Sequence, residues 1–174
     1  MFERDKRSEI EDLARKILDI SLACPGEPSR RLFTFAESCT GGLVASAVTG
    51  VPGASAVFPG SLVTYGNLAK IELLNVTPET IERHGAVSGE CAAEMAWGAL
   101  RRFDARIAVS VTGIAGPDGG SEQKPVGTVW FAACHSDGRM RLKRGFYPNR
   151  SRRAVQSSAA GAALRMLLLV LSEL

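Results

Sequence analysis

The amino-acid sequence predicts a single-domain α/β protein, a three-layer α/β/α sandwich around a mixed, mostly parallel sheet. Short apolar segments typical of strands alternate with segments of helical periodicity, which is the pattern of a sheet covered by helices on both faces. Asp137-Gly138 separates two strand-like segments and predicts a hairpin, which makes the sheet mixed. The 174 residues, 45% of them hydrophobic, suffice for one core.

The first half of the chain begins with an amphipathic helix. Ile10, Leu13, Ile17 and Ile20 recur at steps of three and four, and Pro25-Gly26 ends this region. We assign this segment to the same domain as the rest of the chain. The elements that follow are a strand from Arg31 to Ala36, a turn from Glu37 to Gly42, a helix from Leu43 to Val48, a strand from Ser61 to Tyr65, a helix capped by Asn67, and a short helix from Pro78 to Gly85.

The second half predicts one long helix, three strands and a final helix. Ser88 is the expected cap of the long helix, and Arg106 to Val111 is apolar enough for a central strand. A glycine-rich loop from Thr112 to Val126 comes next. The remaining elements are the hairpin strands Thr128 to Cys134 and Met140 to Phe146, and a helix from about Arg152 to Leu171.

Composition favours a soluble cytoplasmic protein that acts on a small molecule. The net charge of +3 is too small to indicate a nucleic-acid or membrane partner. The longest strongly apolar run, Met166 to Leu171, is far shorter than a membrane span, and the charged N-terminal segment does not resemble a signal peptide. The four cysteines include no Cys-x-x-Cys pair, which argues against a zinc site or a disulfide framework.

Two strand-end segments are candidates for chemistry, because ligands of open α/β sheets collect at the carboxyl ends of strands. In Ser38-Cys39-Thr40-Gly41-Gly42, paired glycines let the backbone approach a ligand, and the following helix directs its first N–H groups at that point. The alternative is that Ser38 and Thr40 only cap this helix. The loop from Thr112 to Gly120 can cradle a phosphate or a carbonyl oxygen, or it can be a mobile surface loop.

Lys70 is the candidate base for a serine nucleophile. A serine hydroxyl needs a group that accepts its proton, and a lysine can do this when burial favours its neutral form. Tyr65 ends a predicted strand and Lys70 lies one turn into the next helix, so both can reach the crevice that holds Ser38. The alternative is a solvent-exposed lysine. His84 and His135 form no recognisable triad or metal motif with Ser38.

Six ordered segments resemble the CinA C-terminal domain family, the nicotinamide-nucleotide amidohydrolases of the PncC type. The resemblance spans about Thr34 to Leu168. The segments are Ala36 to Gly42, Val51 to Ser55, Tyr65 to Lys70, His84 to Ser88, Thr112 to Pro117, and Lys124 to Val129. The resemblance implies hydrolysis of the carboxamide of nicotinamide mononucleotide, a small-molecule nucleotide, without a metal or organic cofactor. It also implies a homo-oligomer.

By the same resemblance, Ser38 is the nucleophile, and Tyr65 and Lys70 assist it. Backbone N–H groups near Thr40 to Gly42, or those of Thr112 and Gly113, are expected to hold the oxyanion. The expected substrate-binding residues are Thr40, Gly41, Gly42, Asn67, Thr112, Gly113, Ala115, Gly116 and Arg152.

The chain departs from the family pattern at the start of its last helix. Relatives usually carry Gly-Asp-Arg there, with a second arginine four residues later. Here Arg150-Ser151 replaces the Gly-Asp pair, Arg152 aligns with the first arginine and Gln156 with the second. Arg152 is therefore the expected phosphate contact, with Arg150 and Arg153 as alternatives. Many relatives also carry an N-terminal domain resembling molybdopterin-binding proteins, for which this chain has no room.

Two other functions stay open: a non-catalytic nucleotide-binding or regulatory module, and an amidase for another small amide.

Overall fold

A computed structural model describes residues 2–23 and 32–173. These residues form six α-helices, five strands and one short 3-10 helix (Ala54–Ala56). The helices are α1 (Phe2–Ala23), α2 (Leu43–Thr49), α3 (Asn67–Leu74), α4 (Pro78–His84), α5 (Gly89–Phe103) and α6 (Arg152–Leu171). The strands are β1 (Phe33–Glu37), β2 (Ser61–Val63), β3 (Ile107–Gly113), β4 (Thr128–His135) and β5 (Met140–Phe146). The predicted Pro25-Gly26 helix end and Arg31 lie outside the described residues.

The sheet is mixed, as predicted, with the strand order β2-β1-β3-β4-β5. The strand β1 pairs in parallel with β2 and β3, whereas β4 is antiparallel to both of its neighbours. Four strands therefore run in one direction and only β4 runs in the other. The strands β1, β2 and β3 end at the same edge of the sheet, which brings the segments that follow them together.

Alternation along the strands divides the core into two layers. Large side chains such as Phe33, Phe35 and Phe131 face α1, α2 and α6. Small ones such as Ala36, Ala108 and Ala132 face α5. The small face lets α5 lie close to the sheet, and the three-layer α/β/α architecture is confirmed.

Helix α6 is long and apolar, and it is buried in the core of the protein. Among residues 2–23 and 32–173 it is the one helix long and apolar enough, by length and composition alone, to cross a membrane. However, 61% of its most apolar window is buried inside the protein, where α6 packs against α1, α2 and the sheet. Burial of this kind is typical of a helix in a protein core.

Several element ends differ from the prediction. Glu37 belongs to β1, because it lies in register with Val63 on one side and Val111 on the other. Strand β2 ends at Val63, two residues early. The cap of α3 is Gly66, so the prediction of an Asn67 cap is wrong. The predicted Ser88 cap of α5 is confirmed, since the Ser88 hydroxyl accepts a hydrogen bond from the Cys91 N–H at 3.1 Å.

Candidate active site

The site lies where three parallel strands end side by side. Ser38 follows β1, Tyr65 follows β2 after one intervening residue, and Thr112 and Gly113 end β3. The Ser38 N–H donates to the Val111 carbonyl at 2.9 Å, and the Thr64 N–H donates to the Glu37 carbonyl at 2.8 Å. Sheet pairing thus continues into the segments that carry the candidate residues, and it fixes where they begin.

Lys70 reaches the end of β1 from the end of the first turn of α3. Its side chain is buried, and its Nζ lies 3.1 Å from the Ser38 Oγ. The same nitrogen donates to the carbonyls of Thr64 at 2.8 Å and Tyr65 at 3.1 Å. The alternative of a solvent-exposed lysine is therefore wrong.

The surroundings of Lys70 favour the neutral amine. Burial lowers the pKa of Lys70 from its ordinary value, and the nearby thiols of Cys91 and Cys39 act in the opposite direction to a smaller extent. A neutral amine has two N–H donors and one lone pair. In that form the two carbonyls would take both donors, and the lone pair would be left facing the Ser38 hydroxyl.

Tyr65 contacts Lys70 through its backbone and Arg152 through its side chain. Its carbonyl accepts from Lys70, but its ring is 58% exposed and its hydroxyl lies against Arg152. Arg152 also donates to the Gly116 carbonyl at 2.6 Å. The guanidinium therefore connects the segment after β2 to the loop after β3 at the rim of the site.

A cavity of about 270 Å³ opens over Ser38, close to the lower end of the range for small-molecule sites. Nine of the predicted site residues line it: Ser38, Tyr65, Asn67, Lys70, Thr112, Gly113, Ala115, Gly116 and Arg152. The remaining lining residues are Cys39, Ala86, Val87, Ile114, Asp118 and Gly119. The lining is thus drawn from the ends of β1 and β3, from the segments that follow β2 and α4, and from the start of α6.

Thr40, Gly41 and Gly42 do not line the cavity. The hydroxyl of Thr40 donates to the Glu37 carboxylate at 2.7 Å, and the N–H of Gly42 donates to the same group at 3.0 Å. The Gly41 N–H donates to the Ser38 carbonyl at 3.1 Å. Gly41 and Gly42 have φ angles of 62° and 100°, so these glycines serve the conformation of the turn.

The expectation that the first N–H groups of α2 face a ligand is wrong. Val44 and Ala45 donate to the Glu37 carboxylate at 3.1 and 2.8 Å, as Gly42 does. A fully buried carboxylate occupies the place where an anionic ligand was expected. The sequence signal was available, because acidic groups favour helix N-termini and Glu37 directly precedes the turn.

Residues at the end of β3 shape the cavity through the backbone. The Thr112 hydroxyl donates to the Ala86 carbonyl at 2.7 Å, which fixes the wall formed by Ala86 and Val87. A Cβ at Gly113 would lie 2.8 Å from the Thr128 carbonyl oxygen, so a side chain is excluded there. No local sequence pattern marks Ala86 or Val87 as lining residues.

Gln156, like Ala86 and Val87, is a residue that sequence reasoning did not assign to the site. It lies one helical turn after Arg152 on α6, and its amide donates to the Cys39 carbonyl at 2.9 Å. The i, i+4 spacing from Arg152 places both side chains on one face of α6, and this spacing is a signal that could have identified Gln156.

Neither histidine nor a metal cluster contributes among the described residues. His84 lies near Glu90 and His135 near Asp137, and neither histidine lines the cavity. The described part of the chain holds no group of three His, Cys, Asp or Glu side chains able to bind a metal ion.

Burial raises the pKa of the Cys39 thiol to about 12, which keeps it protonated beside Ser38.

Fold and site together define an α/β protein with a buried serine–lysine pair in a strand-end cavity. The chain belongs to the CinA C-terminal domain family, whose model matches residues 27–171. The nicotinamide-nucleotide amidohydrolase PncC of Enterobacter agglomerans is 51% identical over 135 residues, which cover 78% of this chain and 82% of that protein.

A longer relative and a solved structure agree with this assignment. A CinA-like protein of Fervidobacterium nodosum is 59% identical over 105 residues, 60% of this chain and 26% of that protein. The chain therefore spans about a quarter of that relative and about four fifths of the PncC protein. The structure of the competence/damage-inducible protein CihA from Agrobacterium tumefaciens superposes with a TM-score of 0.86 at 43% identity, covering 94% of this chain and 96% of that one.

Proposed function

We propose that this chain is a nicotinamide-nucleotide amidohydrolase, which converts nicotinamide mononucleotide and water to nicotinic acid mononucleotide and ammonia. The observation that carries the proposal is the 3.1 Å contact between the Lys70 Nζ and the Ser38 Oγ at the base of a cavity. The choice of nicotinamide mononucleotide as the proposed substrate rests on the similarity to a protein named for this activity, over four fifths of that protein's length.

In the proposed mechanism, Ser38 is the nucleophile and neutral Lys70 is the base. Lys70 takes the hydroxyl proton as the Ser38 oxygen forms a bond to the amide carbon. The resulting tetrahedral intermediate loses ammonia after Lys70 returns the proton to the nitrogen, and this step leaves an ester on Ser38. Water then attacks the ester with Lys70 again accepting a proton, and the carboxylate product leaves as the Ser38 hydroxyl is restored.

The negative oxygen of the intermediate needs N–H donors that are not already bonded within the protein. Gly41 and Gly42 are excluded by their bonds to the Ser38 carbonyl and the Glu37 carboxylate. Within the described residues, the N–H groups of Cys39 and Thr40 donate to no other residue, and Cys39 lines the cavity. We assign the oxyanion contact to the Cys39 N–H, the residue directly after the nucleophile.

Arg152 is the proposed contact for the substrate phosphate. Its guanidinium lies at the cavity rim, where it bonds the Tyr65 hydroxyl and the Gly116 carbonyl. A guanidinium matches the fork geometry of phosphate oxygens. Tyr65 therefore has two contacts: its carbonyl holds Lys70 at the base of the cavity, and its hydroxyl orients Arg152 at the rim. Asn67 and the loop residues Ala115 and Gly116 complete the proposed substrate contacts.

The decisive experiment is Ser38→Ala with ammonia release from nicotinamide mononucleotide as the readout. We expect turnover to be abolished, because Ser38 is the one hydroxyl among residues 2–23 and 32–173 that bonds Lys70, while the thermal melting temperature stays close to that of the wild type. Ser110→Ala is the matched control, because it also removes a buried hydroxyl from this sheet, one that bonds the Ala92 carbonyl. Full activity of Ser38→Ala would overturn the proposal.

Two alternatives make different predictions in the same assay. A non-catalytic regulatory module would bind the nucleotide without releasing ammonia. An amidase for another small amide would release ammonia from that amide and not from nicotinamide mononucleotide. A panel of nicotinamide mononucleotide, nicotinamide riboside and nicotinamide separates these cases. We also propose that residues 1–174 form one domain and that the protein is cytoplasmic. We further propose that it assembles as a homo-oligomer and binds neither nucleic acid nor a membrane.

A further inference from the structure

The turn that carries Ser38 is held by a carboxylate that does not face the cavity. Glu37 is 0% exposed and directly precedes Ser38. Its two oxygens accept four hydrogen bonds, from the Thr40 hydroxyl and from the N–H groups of Gly42, Val44 and Ala45, at 2.7–3.1 Å. One side chain therefore fixes the path of the backbone from the nucleophile to the first turn of α2.

The two oxygens of a carboxyl group match these four donors, and the amide of a glutamine does not. A carboxylate accepts hydrogen bonds on both oxygens and donates none, whereas an amide of the same size turns an NH₂ group toward one set of donors. In Glu37→Gln, that NH₂ group would face either the Ala45 N–H or the donors at the other oxygen, so the turn would have to shift.

Gln156 holds the same turn from α6, which lies on the same face of the sheet as α2. Its amide, on α6, donates to the Cys39 carbonyl at 2.9 Å. Fixing this carbonyl fixes the peptide plane between Cys39 and Thr40. With Glu37 holding the far end of the turn, the N–H groups of Cys39 and Thr40 donate to no other residue among the described residues.

We infer that Glu37 and Gln156 are positioning residues for the Ser38 turn, which they hold at two points so that the N–H groups of Cys39 and Thr40 remain available to a developing oxyanion. The inference rests on the proposed function, because it assigns these residues to the same reaction. Neither residue lines the cavity, so both act through the backbone of the turn and neither touches the substrate.

The chain supplies a matched control for Glu37. The Glu94 carboxylate caps α4 in a similar way, accepting from the Thr77 N–H at 2.7 Å and from the Thr80 hydroxyl at 2.6 Å. Glu94 does not line the cavity. Glu37→Gln and Glu94→Gln therefore make the same chemical change at two helix starts, and only the first lies beside the nucleophile.

We expect Glu37→Gln to lower kcat about 10- to 100-fold with KM changed less than about twofold, because small displacements of reacting groups have effects of this size. Glu94→Gln should lower the melting temperature and leave kcat unchanged. Gln156→Leu, which removes the donor without adding charge, should lower kcat about tenfold with little change in KM. A purely structural role for Glu37 and Gln156 would lower the melting temperature and leave kcat unaffected.

A second readout separates this inference from the proposed substrate. The rate at which a small fluorophosphonate labels Ser38 depends on the geometry of the turn and not on nicotinamide mononucleotide. We expect slower labelling in Glu37→Gln and Gln156→Leu and wild-type labelling in Glu94→Gln. A wild type that labels at Ser38 but releases no ammonia overturns the proposed substrate alone.

Unchanged labelling and unchanged kcat in folded Glu37→Gln would overturn the inference. Should Glu37→Gln not fold, unchanged labelling and kcat in Gln156→Leu would do the same. Absence of any labelling at Ser38 in the folded wild type would also contradict it, since the turn would then present no activated hydroxyl.

Discussion

The two segments that meet at the cavity, the turn after β1 and the loop after β3, are held in different ways. The Ser38 turn is anchored by a buried carboxylate, by the Gln156 amide and by sheet pairing, and residues 37–40 are all buried. In the loop, residues 117–123 are all exposed. The turn therefore belongs to the protein interior, whereas much of the loop belongs to its surface.

From this difference we expect the turn to position the reacting groups and the loop to contact the substrate. Reacting groups must be held within fractions of an ångström, and a turn fixed by interior side chains provides that precision. Substrate contacts tolerate more movement, and loops commonly supply them. In this account, substitutions on the turn side lower kcat, while substitutions on the loop side change KM or stability.

The largest expected effect in this comparison is that of Lys70→Met, which replaces the amine by an apolar side chain of similar length. We expect kcat/KM to fall about 10³-fold, within the range for the loss of a general base. Ammonia release at saturating and limiting substrate measures this change. A loss smaller than about tenfold would show that Lys70 is not the base.

The pH dependence of the wild type has a defined sign. Only the neutral amine accepts a proton, so kcat/KM should fall as pH decreases through the pKa of Lys70. Burial lowers this pKa, so the fall should be centred below the ordinary value of 10.5. The residual activity of Lys70→Met should lack this limb, and a profile with the same limb in both proteins would assign it to another group.

An intermediate effect is expected for Arg152→Lys at the cavity rim. The variant keeps the positive charge and loses the paired N–H donors, so KM for nicotinamide mononucleotide should rise about tenfold while kcat changes little. Steady-state kinetics with nicotinamide riboside is the control, since that compound lacks the phosphate. An equal rise in KM for both compounds would remove the phosphate from the role of Arg152.

The smallest effect is expected on the loop side, in Lys124→Met. Lys124 donates to the His84 carbonyl and connects the loop to the end of α4. We expect the free energy of unfolding to fall by about 1 kcal/mol or less and kcat/KM to change less than about twofold. Thermal melting and steady-state kinetics measure the two quantities. A tenfold loss of kcat would show that the loop is as tightly coupled to the chemistry as the turn.

Much of the architecture could be predicted from local sequence pattern. Sequence pattern identified the six α-helices and five strands of the described residues but not the short 3-10 helix Ala54–Ala56, and the Ser88 cap of α5 was recognisable from residue type and position. Strand-end logic brought Ser38 and Lys70 to the same crevice, because parallel strands β1 and β2 must end at one edge of the sheet.

The polar contacts of the site could not be predicted in the same way. Thr40 to Gly42 resembled a ligand cradle, but in the folded turn the Thr40 hydroxyl and the Gly42 N–H bond Glu37, and the Gly41 N–H bonds the Ser38 carbonyl. The Gln156 contact with Cys39 joins residues 117 positions apart, so it depends on how α6 packs across the sheet. Side-chain bonds of this kind are set by tertiary geometry and leave no periodic signal.

In the proposed reaction, the Ser38 oxygen attacks the substrate and the adjacent Cys39 thiol does not. Rapid acid quench during turnover of nicotinamide mononucleotide, followed by peptide mass spectrometry, locates the acyl group directly. We predict an ester on Ser38 that is absent from Ser38→Ala, with Cys39 unmodified because burial raises the pKa of its thiol to about 12. An acyl group on Cys39, or turnover by Ser38→Ala, would contradict the account.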